Sequence, residues 1–294
     1  MSGEGDVAVV TANEIEFSYL HAGDPSGPLA LCLHGFPDSA HTWRHLLPQL
    51  SRLGYHAVAP FLRGYAPTHV PADNCYQLGA LVADAVALHE ALGGDERSVI
   101  IGHDWGAMIT YGAIAYAPQR WRRAVTMAVP PLPSLASAFL DYEQLRKSFY
   151  IFVFQTPLAE FALSMSDLAF VDGLWRDWSP GYNGRELAAL AKDSLRDPAN
   201  MAAAIGYYRA MLDPSGRLPR YEAHQAAAES SGAGCPVLYL HGGTDGCVGA
   251  EFSAGAAPHL PPGSEHEVID GAGHFLHLER PNLIHSRIEG FLRG

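Results

Sequence analysis

The string Gly102-His103-Asp104-Trp105-Gly106-Ala107 stands directly after the apolar run SVIIGH and directly before a small-residue helical stretch. Glycines on both sides of Asp104 permit a turn so tight that the middle side chain is presented strained and exposed, the pattern of a nucleophile elbow. The usual middle residue is Ser; here it is Asp. A carboxylate attacks an alkyl carbon and gives an ester, so the swap excludes ordinary serine-esterase chemistry and leaves covalent catalysis of another class. The same string also suits an Asp that caps a helix N-terminus.

Two further residues stand in the same kind of place. His274, in GAGHFLHLE, follows the last strand-like run, and Asp245, in HGGTDG, follows the one before it. Nucleophile, acid and base then come in that order, each just behind a strand, as a site at the carboxyl ends of an open parallel sheet requires. Nearby His277 and Asp270 read as structural. His34-Gly35-Phe36-Pro37 follows the first central strand. A turn there aims the Phe36 N–H into the site beside the N–H of Trp105, and two such donors make an oxyanion hole. In isolation HGFP is equally a plain Gly–Pro turn.

Short apolar runs and longer helical stretches must position these residues. VAVVT and IEFSYL read as an opening strand pair turning near Asn13, followed by LALCLH, a helix around 43–53 and YHAVAP. A helix over roughly 78–92, the strand SVIIGH, a helix over 105–116 and RAVTMAV come next. Nearly continuous apolar strands separated by helices predict an α/β fold: a mostly parallel, doubly wound sheet covered on both faces. From Pro130 the alternation gives way to helical patterns, and FYIFVF reads as helix among them. Strand patterns resume at PVLYLH and SEHEVID, and a last helix covers about 283–292. The predicted organisation is a core of residues 1–129 and 235–294 with a helical cap inserted at 130–234, hinged at PPLPS and ESSGAGCP.

Composition narrows the function classes. The 294 residues include 31 acidic and 19 basic, a formal charge of −12, without a Lys/Arg-rich run. Nucleic acid is an unsuitable partner, because phosphate binding needs a concentrated basic patch. Cys32, Cys75, Cys235 and Cys247 form no CxxC pair and no metal spacing, so they read as reduced thiols of a cytoplasmic protein. MSGEGDVAVV has acidic residues and no apolar stretch after a basic start, unlike a signal peptide. No run approaches the roughly 20 apolar residues of a membrane span. Oligomeric state is not legible.

HGFP, RGY (Arg63 to Tyr65), GHDWGA, the Asp after HGG and GHF together resemble the α/β-hydrolase-fold epoxide hydrolases, whose close relatives are haloalkane dehalogenases. The resemblance spans the chain. It implies Asp104 as nucleophile, His274 as water-activating base, Asp245 as its orienting acid, and a helical cap over the site. It also implies two cap tyrosines that polarise the epoxide oxygen and bind substrate. FYIFVFQTP offers Tyr150, four residues before Phe154 of the family's F-Q-x-P segment, and IGYYRAM offers Tyr208, immediately before Arg209 as in the family's Y-R-x-M context. Adjacent helical residues point about 100° apart, so Tyr207 and Tyr208 cannot both face the site. Each Tyr could also serve packing alone. The implied reaction turns a small apolar epoxide and water into a vicinal diol without metal or cofactor. Where the family often has Asp two residues before the Arg of RGY, this chain has Phe61, which puts local support of that loop in question. Cap aromatics (Phe149, Phe152, Phe154, Trp175, Trp178) point to an apolar pocket, with most of those rings expected in the core. A dehalogenase would need two N–H donors for halide, Trp105 and either an Asn after His34-Gly35, where this chain has Phe36, or a cap Trp such as Trp175 or Trp178. A non-catalytic receptor on this fold is the reading from another class.

Overall fold

The computed structural model describes residues 7–230 and 233–294, the side chain of Phe139 aside. The first six residues of MSGEGDVAVV, and Ser231 and Gly232 of the ESSGAGCP hinge, therefore lie outside the described residues.

Eight strands form one sheet: β1 (Ala8–Ala12), β2 (Ile15–Ala22), β3 (Leu29–Leu33), β4 (His56–Pro60), β5 (Val99–His103), β6 (Arg123–Met127), β7 (Val237–Gly242) and β8 (Glu265–Ile269). Their order is β1-β2-β4-β3-β5-β6-β7-β8. β2 pairs antiparallel with β1 and β4, and every pair from β4 to β8 is parallel. The opening hairpin turns on Asn13 and Glu14, both with positive φ (44° and 63°). That sign at both central residues is what a tight two-residue hairpin turn needs to match the strand twist. β3, β4, β5 and β7 are buried along their whole length, as strands covered on both faces must be.

The helices are α1 (Leu47–Arg52), α2 (Leu78–Ala91), α3 (Trp105–Tyr116), α4 (Tyr142–Lys147), α5 (Phe149–Phe154), α6 (Ala159–Trp178), α7 (Arg185–Asp193), α8 (Pro198–Leu212), α9 (Glu222–Glu229), α10 (Leu276–Glu279) and α11 (Pro281–Arg293). FYIFVF is helix α5, as read. α3 packs on β3, β5 and β6, and α2 packs on α3. Helix α6 breaks at Met165, and Ser166, Asp167 and Leu168 follow with positive φ. Helix α9 falls inside the interval read as the cap, yet it packs against α2 and α3 of the core layer. Among the described residues no helix is long and apolar enough to cross a membrane.

Candidate active site

β5 is the strand between β3 and β6, so the residue that follows it emerges at the middle of the sheet's carboxyl edge. That residue is Asp104, with φ 55° and ψ −119°. Such a backbone costs a non-glycine residue roughly 1–3 kcal/mol. The cost is borne because the elbow is wedged against β3: a Cβ on Gly106 would lie 2.0 Å from the Leu33 carbonyl oxygen. A Cβ on Gly35 would lie 2.2 Å from Asp104 Oδ1, so only glycine lets the HGFP turn approach the carboxylate. The turn uses that closeness. The Phe36 N–H donates to Asp104 Oδ1 at 2.8 Å. Trp105 opens α3, and its N–H is among the first of a helix, which have no intrahelical acceptor.

His274 and Asp245 arrive from the loops after β8 and β7. Asp245 Oδ2 lies 3.0 Å from His274 Nδ1, and His274 Nε2 lies 3.7 Å from Asp104 Oδ2. The other Asp245 oxygen accepts the N–H groups of Cys247 (2.7 Å) and Val248 (3.0 Å). Burial works against charge on His274, but the Asp245 and Asp104 carboxylates outweigh it and raise its pKa to about 10. Burial would likewise raise Asp245; the charge and hydrogen bond of His274 hold it below its ordinary value. His274 Nε2 is buried without a hydrogen-bond partner. An oriented imidazole with one free nitrogen can take a proton from water.

The lid side of the site comes from α5 and α8. Tyr150 and Tyr208 are buried, their ring centroids 5.4 Å apart, and both line the cavity of about 300 Å³ that reaches Asp104. The Tyr150 hydroxyl lies 3.6 Å from Cys247 Sγ, and among the described residues the Tyr208 hydroxyl has no hydrogen-bond partner. Burial raises both phenols well above their ordinary pKa, so both keep their protons and remain donors. Tyr207 faces elsewhere: its hydroxyl donates to the Arg63 carbonyl at 2.9 Å.

Several expectations need correction or completion. Beyond Trp105, Tyr150 and Tyr208 the cavity wall is largely aliphatic, with Met108, Val129, Leu132, Ile151, Met211 and Leu212, and none of Phe149, Phe152, Phe154, Trp175 or Trp178 lines it. Phe149 and Phe152 are exposed, while Phe154, Trp175 and Trp178 are packed in the core. The Trp175 indole N–H donates to the Pro37 carbonyl at 2.8 Å and is unavailable to a halide. Arg63, without an Asp at position 61, is gripped by Asp84 of α2 through two bonds of 2.5 and 2.6 Å and by the Cys75 carbonyl at 2.6 Å. Asp270 is exposed. His277 is buried against His103 and Trp43 and bonded to Thr42. His103, inside the elbow motif but given no role, holds the His274 carbonyl at 2.9 Å through Nε2. Cys247, read only as a reduced thiol, sits in the cavity wall. Its place two residues after Asp245 was the available signal.

The sequence model for the alpha/beta hydrolase fold matches residues 28–281. Epoxide hydrolase A of Mycobacterium tuberculosis is 31% identical, with 97% of each chain covered. Epoxide hydrolase 3 of Siraitia grosvenorii is also 31% identical, over 96% of each. The crystal structure of epoxide hydrolase A from Mycobacterium thermoresistibile superposes with a TM-score of 0.79 at 25% identity, covering 98% of each chain. That of an epoxide hydrolase from Vigna radiata gives 0.78 at 26% identity, covering 100% of this chain and 99% of that one.

Proposed function

The chain belongs to the α/β-hydrolase fold family, among its epoxide hydrolases, and from that premise we propose that it hydrolyses a small apolar epoxide to a vicinal diol through an ester on Asp104. One observation carries this reading: a single apolar cavity faces a carboxylate on its sheet side and two protonated tyrosines on its lid side. A nucleophile opposite a pair of hydroxyl donors is the arrangement that opening a strained C–O bond demands. We take residues 130–218 as the lid, because α9 packs with the core.

In the first step an Asp104 oxygen forms a bond to one epoxide carbon as the C–O bond breaks. Tyr150 and Tyr208 hydrogen-bond the departing oxygen and supply its proton, which solvent restores. Esterification removes the Asp104 charge, one of the two that keep His274 protonated. The imidazole then yields its proton and becomes a base. It takes a proton from water that attacks the ester carbonyl carbon, and the negative charge lands on Asp104 Oδ1. Phe36 N–H, 2.8 Å from that atom in the resting enzyme, and Trp105 N–H stabilise it. The intermediate collapses, the diol leaves as its alkoxide takes the new carboxyl proton, and Asp104 is an anion again. The scheme calls on no metal or cofactor. We further propose a cytoplasmic location, the reading that four cysteines without CxxC or metal spacing suggest.

The test is a single turnover of excess enzyme on aryl and alkyl epoxides in ¹⁸O-labelled water, with haloalkanes in parallel. Label is expected in the Asp104 carboxylate and none in the diol. Label appearing directly in the diol would overturn the nucleophile assignment. Halide release without diol formation would make the protein a dehalogenase, and no product from either series would leave a receptor.

A further inference from the structure

We propose that the same pocket is a binding site for a thiophilic divalent cation of the zinc class, ligated by Asp104, Cys247 and His274. Occupancy would silence the epoxide chemistry proposed above, on which the inhibitory half of this inference rests.

One ligand atom from each of these three buried residues lies within 4.8 Å of the others. His274 Nε2 is buried, unpartnered and 3.7 Å from Asp104 Oδ2. Two ligand atoms at about 2.1 Å from a tetrahedral zinc ion stand about 3.4 Å apart, so this pair is already near the required bite. The other imidazole nitrogen is anchored on Asp245 at 3.0 Å, the carboxylate–histidine arrangement that orients a metal-bound imidazole. Cys247 Sγ, within 4.8 Å of the other two ligand atoms, completes a sulfur, nitrogen and oxygen set. The fourth position opens onto the cavity.

Charge fits the same class of ion. Coordination sends both the Cys247 thiol proton and the imidazolium proton of His274 to solvent, and thiolate plus Asp104 neutralise a dication while Asp245 stays with the imidazole. Magnesium and calcium require six or more oxygen ligands, which one carboxylate here does not supply. Bound at this point, the cation covers both lone pairs that the two chemical steps use. A second buried set, Asp38, His103 and His277, contains no sulfur, so a thiolate signal separates the two.

The experiment titrates the metal-stripped protein with cadmium, zinc and magnesium, recording thiolate-to-cadmium charge-transfer absorbance and epoxide turnover. One equivalent of cadmium should develop the band in step with loss of activity. Zinc should compete, and magnesium should do neither. In Cys247→Val and in the near-isosteric Cys247→Ser the band should vanish. The zinc concentration for half-inhibition, referred to each variant's own uninhibited rate, should rise about tenfold or more. Unchanged inhibition in both variants, or cadmium binding without a thiolate band, overturns the proposal. The band reads whether or not any epoxide is turned over, so failure here is distinct from failure of the ring-opening reading.

Discussion

On the sheet side of the cavity, Asp104 and Asp245 are each held by backbone N–H groups at a strand end, and His274 is tied to Asp245. On the lid side, Tyr150 and Tyr208 are positioned by rings: Phe36 and Phe154 pack on both, Trp178 on the first and Trp105 on the second. Their hydroxyls have one thiol partner and none, respectively. The contrast separates two ways of preparing a reaction. Charges are fixed in advance at the strand ends, because a buried carboxylate without partners would be expensive. Hydrogen-bonding capacity is left unspent on the other wall, at about 1–3 kcal/mol for an unpaired buried hydroxyl. A substrate oxygen can offset that cost.

Substitutions on the sheet side should have the largest effects. Asp104→Asn should lower turnover by roughly 10⁴-fold or more, the scale on which loss of a nucleophile acts in a hydrolytic triad, with no covalent adduct. His274→Gln should lose turnover comparably but still open the epoxide once. Intact-protein mass spectrometry should find protein plus one substrate, mapped to the peptide containing Asp104. A folded His274→Gln enzyme that binds substrate and never forms the adduct would place His274 in ring opening itself.

The lid side should give a smaller, shared effect. A positioned proton donor contributes ~10²–10⁴-fold, so Tyr150→Phe and Tyr208→Phe should each slow single-turnover ring opening within that range. The double variant should be far slower than either, because each hydroxyl partly covers for the other. Hydrolysis of preformed ester should change little. Full epoxide turnover in the double variant would remove both tyrosines from the site.

The smallest effect is on stability, and it too divides the molecule. The chain has no His between His103 and His224, so none lies in the lid. Burial lowers His34 to about 4, burial and the His274 charge lower His103 to about 3, and His277 falls well below its ordinary value. Below about pH 6.5 the unfolded chain binds these protons and the folded one does not, so stability falls with acid. Asp38, raised by burial to about 7, opposes this with one proton. Calorimetric Tm should therefore drop from pH 6.5 towards 4, and His277→Asn should flatten the slope by about 1.4 kcal/mol per pH unit. An unchanged slope would mean that His277 already carries its proton in the fold.

What could be read from the residues follows the range of the interactions. Strands β3 to β7 and the turn at Asp104 announce themselves through apolar runs and glycines a few positions apart. Asp245 and His274 are legible because each stands just behind a strand pattern. Tyr150 and Tyr208 were reached only through the family pattern, because nothing local distinguishes them from other helical tyrosines. The Arg63–Asp84 clamp, the His103–His274 bond and the aliphatic wall were not legible. Each joins distant segments whose meeting depends on how helices settle on the sheet. The bend in α6 is harder still, since Ser166, Asp167 and Leu168 adopt positive φ with no glycine to mark it.

The bond from Phe36 to Asp104 Oδ1 makes the two oxygens of one carboxylate unequal. In the mechanism proposed above, Oδ2, on the His274 side, is the oxygen that joins the substrate; water adds to the ester carbonyl, and Oδ2 then departs within the diol. Oδ1 stays where it is through both half-reactions, as carboxylate oxygen, ester carbonyl and oxyanion in turn. Half of the side chain is fixture and half is reagent, renewed from solvent at every cycle. On that scheme the isotopic history of the enzyme is written on a single atom, and each product would carry away the oxygen that the previous turnover delivered.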